Sequence, residues 1–108
     1  MSVSPVSFKG IYKVTMPKVT EAKNSNEKAA YSELVINTVV MGHNSSVMQP
    51  KKASDSVYFK IDDRCDAKFE AGFKHILDTC NKKFNVDLSK MAYIQKVSVE
   101  EYDKASVL

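Results

Sequence analysis

Two cysteines, two histidines, a cluster of aspartates and a scattered set of lysines are the residues of this 108-residue chain whose types and spacing could do chemistry. Cys65 stands near the predicted start of a helix, where the dipole lowers a thiol pKa, so a small thiol-dependent enzyme using Cys65 is chemically reasonable. Against it, Cys65 and Cys80 share an apolar helix face, where a free cysteine behaves as a small hydrophobe. They lie about 22 Å apart along the helix axis, which excludes a disulfide between them while that helix exists. His75 falls on the polar side of the same helix and His43 in a predicted loop. Cys80 and His75 differ by about 140° around the helix, and no zinc-ligand spacing is present, so no metal site is expected. Asp62, Asp63 and Asp66 could hold a hard cation, but helix capping accounts for all three and Arg64 sits among them. Gly10, Gly42 and Gly72 are isolated, which excludes a glycine-rich phosphate loop, and no cofactor is expected.

These groups depend on the elements that place them. From Asp62 to Phe84 the residues Cys65, Phe69, Gly72, Phe73, Ile76, Leu77, Cys80 and Phe84 fall on one side at about 100° per residue, with Lys68, Lys74, Asp78 and Lys82 away from it. Asp62 or Asp63 serves as N-cap, Lys82 and Lys83 suit the last turn, and Asn85 suits a left-handed stop. Val6 to Met16 alternates with a period of two and ends at Pro17, which predicts a strand. Ser25 or Asn26 caps a predicted two-turn helix through Tyr31. From Leu34 to Met41 the β-branched run Val35, Ile36, Thr38, Val39 and Val40 favours a strand, the competing reading being a helix that continues from Asn26 and ends at Gly42. Residues 42–55 read as a long exposed loop, the kind that is mobile or makes contacts. Val57, Phe59 and Ile61 mark a strand that leads into the long helix. Met91 to Ser98 marks another, and the capping-box spacing of Ser98 and Glu101 predicts a terminal helical turn or two.

The sum is an α+β fold, with a four-stranded, mainly antiparallel sheet and the long helix of about 62–84 on one face. The element order also fits a ferredoxin-like split β-α-β arrangement with a short first helix. One domain over residues 1–108 is expected, since 44% hydrophobic and 27% charged residues suffice for a core without staples. No apolar run approaches the ~18 residues of a membrane span and no signal peptide is visible, so the expectation is a cytoplasmic protein that does not enter membranes.

If Phe8, Tyr12, Val14, Phe59, Tyr93 and Val97 face the helix, alternation puts Lys9, Ile11, Lys13, Tyr58, Lys60, Ile94 and Lys96 together on the opposite sheet face. Four lysines interleaved with tyrosine and isoleucine could track a phosphate backbone and stack a base, though lysines on an open sheet face also serve plain solvation. No RNA-recognition signature occurs at Ser56 to Ile61. The expected function is a small non-enzymatic binding or regulatory protein. It would meet a macromolecule, a protein first and nucleic acid second, through this basic face or through His43, Asn44, Lys51 and Lys52 of the loop.

Overall fold

The computed structural model of the protein describes residues 10–107. Its order is β1 (Gly10–Thr15), a 3-10 turn at Val19–Glu21, α1 (Ser25–Ser45), β2 (Lys51–Ala53), β3 (Ser56–Ile61), α2 (Asp63–Phe84), β4 (Tyr93–Lys96), α3 (Val99–Lys104) and β5 (Ser106–Val107). The fold is α+β, with an antiparallel sheet in the order β4-β1-β3-β2-β5. β1 and β2 both run against β3, and α1 joins them with β3 in between; α2 joins β3 to β4 with β1 in between.

α2 forms where its capping signals place it. The Asp62 side chain accepts the Arg64 amide at 2.9 Å, and Asn85 closes the helix in the left-handed region with φ 54°. Phe69, Phe73 and Cys80 are buried by it, against Tyr12 and Val14 of β1 and Phe59 and Ile61 of β3. Lys74 pairs with Glu70 and Lys82 with Asp78 on the outer side.

The favoured strand at Leu34–Met41 is overturned: these residues lie inside α1, a 21-residue helix. Its cap is Asn24, ahead of the expected Ser25 or Asn26, with Asn24 Oδ1 accepting the Glu27 amide at 2.8 Å. β-branched residues cost a helix only a fraction of a kcal/mol each. Burial of Tyr31, Leu34, Thr38 and Gly42, at helical spacings of three and four, outweighs that cost. α1 runs antiparallel to α2. Asn26 Nδ2 donates to the Phe84 carbonyl at 2.8 Å, Lys83 Nζ donates to Glu33 Oε1 at 2.7 Å, and Met41 packs where Gly72 leaves room.

The long loop of residues 42–55 is overturned as well. Gly42 to Ser45 completes α1, Ser46 bridges Ile61, and the Val47 amide donates to the Lys60 carbonyl at 2.9 Å. Lys51–Ala53 then pairs with Ser56–Tyr58 across a tight turn in which Ser54 takes φ 56°. The reason lies in β3, every residue of which is buried. A strand so enclosed must find backbone partners on both edges, and residues 46–53 supply one of them.

Two positions give opposite tests of this packing. A Cβ on Gly42 would fall within the Phe59 ring, so Gly42→Ala should destabilise by about 1–3 kcal/mol, although alanine favours a helix over glycine by about 1 kcal/mol. Thr38 is wholly buried and its hydroxyl has no hydrogen-bond partner among the described residues. Thr38→Val should therefore stabilise by about 1 kcal/mol. Urea titration of both variants reads the signs directly.

Candidate functional site

The sheet face opposite α1 and α2 is not open. α3 begins as its capping box predicts, with Ser98 Oγ accepting the Glu101 amide at 3.2 Å, and it lies across this face. Ile11, Tyr58, Tyr102 and Ala105 form a small buried cluster there, with Ala53 and Val97 packed beside it. The basic face expected from alternation is thus dispersed. Ile11, Tyr58 and Lys60 are buried beneath α3, and Lys13 is half-exposed, its Nζ 3.6 Å from Glu101. Lys9 lies outside the described residues.

Ile94 and Lys96 are on the other side of the sheet. Register pairs Val14 with Ile94 and Tyr12 with Lys96, so both share the face that carries α1 and α2, and Lys96 Nζ sits 5.8 Å from the Tyr12 ring centroid. Tyr93, expected in the core, is exposed, and Val97 joins the cluster under α3. The phase of β4 slipped by one because both of its parities carry apolar residues and each face of the sheet has its own cover.

The loop candidates separate too. His43 and Asn44 are exposed at the last turn of α1, Lys52 is exposed on β2, and Lys51 is half-buried with its Nζ 4.7 Å from the Tyr102 ring centroid. Cys80 is buried with its Sγ 3.9 Å from Glu33 Oε2, and burial, with the Glu33 charge next, pushes its thiol pKa up. Cys65 is half-buried against the main core and His75 is exposed. Asp66 accepts the Tyr12 hydroxyl at 2.7 Å and Asp62 is engaged by Arg64. Among the described residues no group of three or more His, Cys, Asp or Glu is placed to hold a metal ion.

A surface that sequence reasoning missed lies along α1. Ile36 and Val40, one turn apart, are 58% and 53% exposed. Beside them a groove of about 340 Å³ is walled by Val35 and Val39 of α1, Val19 and Pro17, over Met16 and Val57. Lys18, Lys52, Ser54 and Asp55 stand at the same groove. Its signal was present in the sequence: on helical spacing, Val35, Ile36, Val39 and Val40 are more apolar residues than one buried stripe uses.

The network under α3 gives a pH test. Burial, with the hydrogen bond to Glu101 next, pushes Tyr58 from its ordinary value of 10.0 up to about 12. Between these values the unfolded chain releases a proton that the folded chain keeps. The stabilising contribution is therefore full below about pH 10 and is lost as pH rises toward 12. Tyr58→Phe should flatten part of that alkaline decline in denaturant midpoints measured across the range; an unchanged slope would refute the assignment.

No family model matches the chain, and comparison with curated proteins and with solved structures likewise finds no match.

Proposed function

We propose that this chain is a non-enzymatic binding domain of ferredoxin-like, split β-α-β organisation, and that it takes an apolar segment of a partner protein in the groove along α1. The strand order β4-β1-β3-β2, with two crossovers each spanning an intervening strand, supports the fold reading. The observation that carries the functional one is the exposure of Ile36 and Val40 beside a groove walled by Val35 and Val39. Contiguous apolar surface of this kind marks contact sites. The partner segment carries carboxylates beside its apolar side chains, because Lys18 and Lys52 against the single Asp55 leave the groove net basic. His43 and Asn44, exposed at the end of the same helix, extend the contact surface.

The alternatives have less to stand on. Nucleic-acid binding relied on lysines gathered on an open face, whereas Lys60 lies under α3 and Lys96 lies across the sheet. Thiol chemistry relied on Cys65, which is half-buried and packs against the main core.

Displayed random peptides selected on the immobilised protein test the reading. Enriched sequences should combine aliphatic or aromatic residues with Asp or Glu. Ile36→Gln with Val40→Gln, which changes no charge, should weaken them by about tenfold or more while leaving the fold intact. Lys18→Gln with Lys52→Gln should remove the acidic preference alone. Peptides that bind wild type and the Ile36/Val40 variant equally would overturn the assignment.

A further inference from the structure

The cluster under α3 is separate from the main core. Among the described residues it shares no buried member with the fourteen that join α1, α2, β1 and β3 on the other face of the sheet. α3 and the Ala105 link to β5 contribute Tyr102 and Ala105 to it as buried side chains, while Val99 and Val107 of the same segment are exposed. Opening of this segment would leave the main core as it is, and small, locally held elements of this sort open well below the global unfolding free energy.

The chemistry beneath α3 is also unlike that of a structural plug. Lys60 is only 8% exposed, and lysine is among the residues least often enclosed. Its Nζ and that of Lys51 each lie 4.7 Å from the Tyr102 ring centroid. The Tyr58 hydroxyl donates to Glu101 Oε2 at 2.8 Å, Lys13 approaches the same carboxylate, and the Tyr102 hydroxyl donates to the Gln49 carbonyl at 2.9 Å. The floor of the face is apolar, formed by Ile11 and Tyr58. What it holds is an aromatic ring flanked in sequence by Glu100, Glu101 and Asp103. A cover that served packing alone would be held as well by apolar neighbours, without ammonium groups to desolvate.

We propose that this sheet face is a receptor for an acidic, tyrosine-bearing segment of a partner protein, and that α3 is a resident copy of that ligand, bound in cis until displaced. The partner's tyrosine enters between Lys51 and Lys60, its hydroxyl reaching the Gln49 carbonyl. A neighbouring carboxylate takes the Tyr58 hydroxyl and Lys13. This site is distinct from the α1 groove and does not depend on it.

The probe is a fluorescent synthetic peptide of residues 98–107, titrated by anisotropy into the full-length protein. The resident segment competes, so wild type binds weakly in proportion to its open fraction. Tyr102→Ala in the full-length protein loosens the cis segment and should bind the peptide about tenfold tighter or more. Glu101→Gln in the full-length protein should act in the same direction without leaving a cavity, and carries the comparison if Tyr102→Ala does not fold. Lys60→Met added to either variant should abolish the gain, as should alanine in place of the peptide's tyrosine. Hydrogen exchange of the wild type should find the Tyr102 and Asp103 amides opening well before those of β3. The proposal is overturned if the loosened, folded variants bind no tighter than wild type, or if α3 exchanges only together with β3. It is overturned equally if a single-stranded oligonucleotide binds the loosened variants more tightly than the peptide.

Discussion

Complete enclosure of β3 is the constraint from which the remaining architecture follows. Side chains of a strand alternate between faces, so a strand buried at each of its residues needs a cover above, a cover below and a neighbour on either edge. α1 and α2 supply the first, α3 the second, and β1 and β2 the neighbours. Phe59 concentrates the demand on one side, where its ring fits against Gly42 of α1 and Phe69 of α2. Tyr58 concentrates it on the other, where an aromatic of half-polar character calls for a partner that can accept its hydroxyl, and Glu101 does so.

How far the chain could be read depended on how many faces each element buries. α2 buries one stripe and leaves the rest to charged residues, so its period and its stop at Asn85 were legible, and its cap was narrowed to Asp62 or Asp63, of which Asp62 serves. α1 was obscured because Ile36 and Val40 are apolar and exposed, which blurs the helical stripe and lets the β-branched content suggest a strand. The i, i+4 relation of Leu34, Thr38 and Gly42 carried the correct information, but local propensity outvoted it. β2, only three residues long, gave no period to read, and it forms because β3 requires an edge partner.

The candidate surfaces were legible in parts. Alternation along β1 and β3 correctly grouped Ile11, Lys13, Tyr58 and Lys60 on one face. What alternation cannot reveal is a cover contributed from elsewhere in the sequence, and α3 is such a cover. The same cover explains the misplaced phase of β4: Val97 is apolar because it meets α3, and Ile94 is apolar because it meets the main core. The groove along α1 went unread for a linked reason, since a segment taken for a buried strand offers no outer face.

Among the described residues the sheet is bordered by two short strands, the four-residue β4 and the two-residue β5. Short borders limit how many backbone groups a foreign strand could zip onto, which is one way that β proteins avoid aggregating edge to edge. β5 matters here beyond its size, because it closes the outer edge of β2. When α3 and β5 lift together, the edge laid bare is Lys51–Ala53, and its adjacent lysines repel an identical edge on another molecule. A protein of this construction could release its C-terminal cover without becoming a template for fibrils.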